Sequence, residues 1–246
     1  MYNISMSENK KSETKGAKVI IRFDAVSKVY KGDFSALENI DLEIREGEFV
    51  SIVGHTGSGK STLLKLIYAE EKATSGEMYF NDMLLNDMSR RRLPYHRRDI
   101  GAIFQDFKLL PKKTVYENVA YALEVAGASN EEIAENVPQI LDIVGLGDKM
   151  QKYPHQLSGG EQQKVAIARA LVHTPMVIVA DEPTGNLDPV SSLEIVELLI
   201  RINKLGTTVI LASHDKDIVD KANKRVLVLD KGKIIADHAR GKYEIS

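Results

Sequence analysis

Apolar residues come along this chain in short β-branched bursts separated by polar, glycine-bearing turns. Phe49-Val50-Ser51-Ile52-Val53 ends at Gly54, the pattern of a parallel strand buried on both faces. Residues 100–104, 177–180, 207–211 and 225–229 read the same way, and Lys231-Gly232 turns the last of them into Ile234-Ile235. Val19-Ile20-Ile21 and Val29-Tyr30 read as two strand pieces ahead of a turn at Gly32-Asp33. Residues 61–70 carry a helical period, and residues 114–144 are helical in period with few strand signals. Strands alternating with helices predict an α/β core with a mostly parallel sheet. The helical stretch predicts an insert at about residues 106–160. Residues 1–18, rich in Ser, Lys, Glu and Asn, read as a disordered tail ahead of one domain over 19–246. Either Met1 or Met6 could start the chain.

Composition narrows the function classes. The chain has 246 residues, 33 Lys plus Arg against 35 Asp plus Glu, and a net charge of −2. That balance lacks the basic excess of a nucleic-acid binder. No apolar run reaches the roughly 18 residues of a membrane span, and the first residues hold no apolar core for a signal peptide. Cysteine is absent, which excludes disulfides and thiolate metal sites. The expectation is a cytoplasmic protein.

Three motifs carry chemistry. Gly54-His55-Thr56-Gly57-Ser58-Gly59-Lys60-Ser61 fits G-x-x-x-x-G-K-[ST] between a strand and a helix. Such a loop turns backbone N–H groups inward at phosphate oxygens, and the helix start adds positive potential. Lys60 supplies a full charge for the β- and γ-phosphates, and the Ser61 hydroxyl, followed by Thr62, is a ligand for Mg²⁺. The second motif is the apolar run closed by Asp181-Glu182. Asp181 at the strand's C-terminal edge suits Mg²⁺ held through water, and Glu182 suits polarisation of an attacking water. Leu157-Ser158-Gly159-Gly160-Glu161 opens a helix and forms either a second phosphate cradle or a plain N-cap at Ser158. Two cradles for one γ-phosphate fit a pocket completed by a neighbouring subunit.

With these motifs the chain resembles the ATP-binding cassette family over about residues 19–240. The resemblance implies a P-loop, RecA-like core with an inserted helical subdomain and an N-terminal antiparallel β portion. It implies ATP hydrolysis with Mg²⁺ in a homodimer that sandwiches two ATP molecules. It also assigns further residues. Tyr30 matches the aromatic that stacks on adenine, and Gln105 matches the glutamine that senses Mg²⁺ and the γ-phosphate. Asn186-Leu187-Asp188 matches the loop that crosses the dimer interface, with Asp188 also suited to cap the helix that Pro189 begins. His214 matches the switch histidine at the γ-phosphate. The chain departs from the commonest family wording at Glu161, where Gln is more frequent, at Lys164, where Arg is usual, and at Gly185-Asn186, where Ser-Ala is usual.

Glu161 and Gly185-Asn186 resemble one branch, which includes a cell-division ATPase and the lipoprotein-release and macrolide-export ATPases. The wording of residues 98–101, 104–111, 114–119 and 120–125 is similar to the cell-division members. That resemblance implies a peripheral ATPase on the inner face of the cell membrane, attached to an integral membrane partner and relaying ATP-driven dimerisation to cell-wall hydrolysis. Phe107, Leu109 and Leu110 then read either as an apolar floor for a short helix of that partner or as packing within the insert.

Overall fold

The computed structural model describes residues 17–241. The tail expected over residues 1–18 lies outside it as far as residue 16, as do both candidate starts. Its last two residues are tied down: the Ala17 carbonyl accepts from Arg45, and Lys18 pairs with Asp82.

The described residues open on a hairpin of two twelve-residue strands, β1 (Val19–Tyr30) and β2 (Phe34–Arg45). β1 runs unbroken where the sequence suggests two pieces, because register shifts between Val19 and Val29 absorb its irregularities. β3 (Phe49–Val53) follows, then α1 (Lys60–Ile67), shorter than its periodicity suggests because Ala69 turns left-handed. β4 (Ser75–Phe80) and β5 (Met83–Leu84) complete a four-stranded antiparallel sheet in the order β2-β1-β4-β5. A short α2 (Leu93–Arg98) leads into β6 (Ile100–Phe104).

The helical stretch is two helices, α3 (Val115–Ala126) and α4 (Asn130–Ile143), parted by a left-handed Gly127. Next come α5 (Gly159–Leu171), β7 (Val177–Asp181), α6 (Pro189–Lys204) and β8 (Thr208–Ala212), then α7 (Lys216–Ala222), β9 (Arg225–Asp230) and β10 (Lys233–His238). α3, α4 and α5 each start with a reciprocal capping box, Thr114 with Glu117, Ser129 with Glu132 and Ser158 with Glu161. In each box two orphan helix donors are satisfied at once.

The second sheet has the order β10-β9-β3-β8-β7-β6. Its members are parallel from β9 to β6, with β10 antiparallel at the edge. β3 and β8 are buried along their full length, as continuous apolar strands require. One core cluster joins α1 to both sheets through Leu63, Leu64, Leu66 and Ile67. The other lies on the far face, where α3, α4, α5 and α6 meet β6, β7 and β8.

Gly101 of β6 is where α5 seats. A Cβ there would stand 2.7 Å from the Ala170 carbonyl oxygen and 2.6 Å from Ile178 Cδ1. Gly101→Ala is therefore expected to destabilise the fold by about 1–3 kcal/mol, the usual cost of overpacking, read as a lower denaturation midpoint with an unchanged slope.

Candidate active site

The site grows from the loop between β3 and α1. Gly59 holds φ +110°, and a Cβ there would meet the Ala36 carbonyl oxygen at 2.6 Å, so only glycine lets the loop lie against β2. Lys60 begins α1 with its side chain 8% exposed. Its ammonium donates to the carbonyls of Gly54 at 2.8 Å and His55 at 3.3 Å. Ser58 is buried, and its hydroxyl oxygen has no partner among the described residues. The loop is a cradle with a cation at its base.

Sheet register delivers the remaining groups. Phe104 of β6 stands level with Asp181 of β7, and Asp181 with Ala212 of β8. The residues just past these ends, Gln105, Glu182 and Ser213-His214, therefore share one edge. The Ser61 hydroxyl donates to Asp181 Oδ1 at 3.2 Å. Burial pushes the Asp181 carboxyl above the usual carboxylate range; the Ser61 bond opposes this, Glu182 adds to it, and the charge on Lys60 also opposes it. Glu182 takes a left-handed backbone, φ +49°. Its Oε1 lies 3.8 Å from Lys60 Nζ, and its Oε2 lies 2.9 Å from His214 Nδ1 and accepts from the His214 amide at 3.3 Å.

An open cleft of about 330 Å³ lies over these groups. It is lined by Thr56, Gly57, Gly59, Lys60, Ser61 and Thr62, by Gln105, Glu182 and His214, and by Phe34 and Ala36 of β2. Tyr30 does not line it. Tyr30 faces Phe34 across the hairpin and carries the Lys28 ammonium 4.9 Å from its ring centre. Phe34, 60% exposed, is a cleft-lining aromatic that sequence reasoning missed. The available signal was an apolar residue standing alone just past the Gly32-Asp33 turn.

Ser158, Gly159 and Gly160 are not among the residues lining this cleft. Ser158 caps α5, accepting from the Glu161 amide at 3.3 Å, while the Glu161 carboxylate accepts the Ser158 N–H at 2.9 Å. Lys149 also pairs with Glu161 and, with the Ser158 cap, holds that carboxyl below its usual range. Gly159 packs toward Leu187 and Gly160 toward Ser191. Asp188 caps α6 through the amides of Val190 and Ser191 at 3.0 Å and accepts the Ser191 hydroxyl at 2.6 Å. The second set of residues thus gathers at the facing starts of α5 and α6.

The segment after Gln105 is internally braced. Phe107 and Lys108 are both left-handed, and Arg169 of α5 donates to their carbonyls at 2.9 Å and 2.6 Å. Leu109 packs on the larger core cluster, and the Phe107 ring tip lies 3.9 Å from where a Gly159 side chain would begin. Leu109 thus has packing inside the protein, while Phe107 and Leu110 are half-buried. Gln163 of α5, fully buried, donates to the Pro183 carbonyl at 2.7 Å and the Phe104 carbonyl at 3.3 Å. Gln163 and Arg169 were invisible in the sequence because their partners lie 20–62 residues away.

The raised Asp181 pKa has a stability consequence. The native state holds this proton more tightly than the unfolded chain, so stability falls as pH rises from the ordinary carboxylate range through the native pKa. Asp181→Asn is expected to melt higher than wild type at neutral pH in the nucleotide-free protein. The difference should vanish once Asp181 is protonated in both states, which melting curves across the acid range will read.

A family model described as ABC transporter matches residues 37–185. The cell division ATP-binding protein FtsE of Bacillus subtilis is 49% identical over 224 residues, covering 91% of this chain and 98% of that protein. FtsE of Mycobacterium tuberculosis is 49% identical, covering 92% and 98%, and FtsE of Escherichia coli K12 is 46% identical, covering 87% and 96%. Among solved structures, a dimeric post-hydrolysis state of an ATP-binding cassette bound to ADP and Pi is similar, with TM-score 0.81 and 39% identity, covering 90% of this chain and all of that one. The loop cradle, the levelled strand ends and these likenesses agree: the chain belongs to the ABC transporter family of ATPases, within the FtsE group of cell division ATP-binding proteins.

Proposed function

We propose that this chain is the ATP-hydrolysing subunit of an FtsEX-like membrane complex acting in cell division. ATP-driven dimerisation is coupled to an FtsX-like integral membrane partner that regulates cell-wall hydrolysis. Lipoprotein-release and macrolide-export ATPases share the chemistry, and the FtsE names of the relatives favour the cell-division branch. No helix among the described residues is long and apolar enough to cross a membrane. Attachment at the inner membrane face is therefore assigned to the partner.

The observation that carries the catalytic reading is the Glu182 carboxylate, fixed between Lys60 and His214 at the cleft. Backbone N–H groups of residues 54–62 and the Lys60 ammonium hold the phosphates. Tyr30, paired across the hairpin with the cleft-lining Phe34, takes the adenine face where the nucleotide extends beyond the phosphate-binding part of the cleft. Glu182 accepts the proton of a water as its oxygen attacks the γ-phosphorus, the bond to the β-phosphate oxygen breaks, and ADP and phosphate result. His214 keeps the Glu182 carboxylate oriented and reaches the γ-phosphate side.

Mg²⁺ fits the donor set. The Ser61 hydroxyl and Asp181 carboxylate oxygens sit 3.2 Å apart, and no cluster of three His, Cys, Asp or Glu is present among the described residues. A hard ion that keeps waters and takes phosphate oxygens suits such a sparse oxygen site. Ser61, Gln105 and Asp181, the last through water, would hold it, and when bound it neutralises charge developing on the phosphates. Ser158, Gly159, Gly160 and Asp188 complete the cleft of a second copy, giving a homodimer around two ATP molecules.

Glu182→Gln is expected to retain ATP binding and slow turnover by about 10²- to 10⁴-fold, measured in single-turnover hydrolysis. A wild-type rate in that variant would remove Glu182 as the base. Lys60→Ala should weaken nucleotide binding itself. In Glu182→Gln, Mg·ATP should trap a dimer visible by light scattering, and an FtsX-like subunit should co-purify with the wild-type chain. A monomer at saturating Mg·ATP, with and without that subunit, would overturn the sandwich.

A further inference from the structure

The wording Gly185-Asn186 departs from the commoner Ser-Ala of the family, and the structure gives it a task. Asn186 Nδ2 donates to the Gln105 main-chain carbonyl at 3.1 Å, and Gln105 Nε2 donates to Asn186 Oδ1 at 3.1 Å. The pair fixes both amides by elimination. A main-chain carbonyl only accepts, so the Asn186 atom facing it is the amide nitrogen. The remaining Asn186 atom is then an oxygen, which also only accepts. The Gln105 group against it must therefore be NH₂, and Gln105 Oε1 is left out of the pair.

Gly185 makes the arrangement possible. A Cβ at this position would stand 2.8 Å from Gln105 Nε2 and 2.9 Å from its Cδ, so any larger residue displaces the amide. Ser-Ala would supply that Cβ and would lack the amide of Asn186. Gln105 itself lines the cleft beside Ser61 and Glu182. An amide presents either a partial negative oxygen or a partial positive NH₂ to what it faces, and a cation distinguishes the two.

We infer that Asn186, given room by Gly185, is a positioning residue that presents the oxygen end of the Gln105 amide to the cation accompanying ATP. The inference rests on the reading of Gln105 as a metal-side residue. It makes the loop between β7 and α6 an outer support of the metal site, the kind of partner whose loss costs about 10- to 100-fold in metal affinity.

The test uses the full chain carrying Glu182→Gln, so that ATP persists, with Mn²⁺ as the probe. Mn²⁺ affinity in the presence of ATP is read by electron paramagnetic resonance. Metal-free ATP affinity and melting temperature are read on the same preparations. Asn186→Ala and Gly185→Ala are each expected to weaken Mn²⁺ about tenfold or more while metal-free ATP affinity and melting temperature stay near those of the parent. Gly185→Ala reaches the Gln105 amide without altering Asn186, so a folding failure in one variant leaves the other. Gln105→Ala sets the scale. If it weakens Mn²⁺ and the two loop variants do not, the positioning role is overturned and the reading of Gln105 stands. If Gln105→Ala leaves Mn²⁺ affinity unchanged, the metal-side reading of Gln105 fails and the inference falls with it.

Discussion

The levelling of three parallel strand ends is the constraint on which the site depends. Because Phe104, Asp181 and Ala212 lie side by side, one residue further along each chain brings an amide, a carboxylate and a histidine loop to the same edge. Side chains alternate along a strand, so a slip of one residue in β7 would turn Asp181 to the opposite face of the sheet. The register is pinned at the other end of the sheet. The Asp99 carbonyl accepts from Met176 and Val177, and the Met176 carbonyl accepts from Thr208. Thr208 in turn takes the Gly47 amide through its hydroxyl, and Asn203 ties the Gly47 and Thr207 carbonyls together. Strand starts are fixed by these bonds, and strand ends follow from equal strand lengths.

Charge at the mouth is arranged around the same edge. Lys60 is nearly buried, and a buried cation is costly unless hydrogen-bonded and paired. The two loop carbonyls and Glu182 supply that compensation. Glu182 reaches it from a left-handed backbone, which costs a non-glycine residue about 1–2 kcal/mol. The hydrogen bond from the Glu182 N–H to the Ala212 carbonyl and the two contacts with His214 hold it there. Strain at this position is what aims the carboxylate across the cleft.

Much of this was legible in the sequence where a signal is local. β3, β6, β7, β8 and β9 are continuous apolar runs, and the sequence marks their bounds within a residue or two. The Gly54–Ser61 loop and Asp181-Glu182 are contiguous, so their pairing needed only the register. β2 is masked in the sequence, although Ile40, Leu42 and Ile44 alternate with charged residues. Its period is broken by Asn39, which is left-handed, and its charges lower apparent β-propensity. β5 and α2 are too short to show a period, and β4 opens on Ser75, Gly76 and Glu77, which break up its apolar signal. The split between α3 and α4 carried its own marks, Gly127 and the Ser129-Glu132 box, which the shared helical period masked. The hydrogen bonds made by Gln105, Asn186, Gln163 and Arg169 join residues 20–81 positions apart, and no local pattern encodes them.

α5 is where these distant contacts converge. Its first turn holds Ser158, Gly159 and Gly160, its second braces the ends of β6 and β7 through Gln163, and its last third grips Phe107 and Lys108 through Arg169. Asn118 of α3 anchors the far end of the same segment, bonded to Leu110, Lys113 and Thr114. A shift of α5 that kept its bonds would carry the carbonyls of residues 107 and 108 with it. A shift that broke them would leave the largely buried Arg169 guanidinium, which burial already pushes below its usual pKa, without acceptors. Each buried polar group left unpaired costs about 1–3 kcal/mol, and a charged one more. The cheaper motion is therefore the concerted one. A displacement of the start of α5 therefore reaches the segment after Gln105 through the two Arg169 hydrogen bonds.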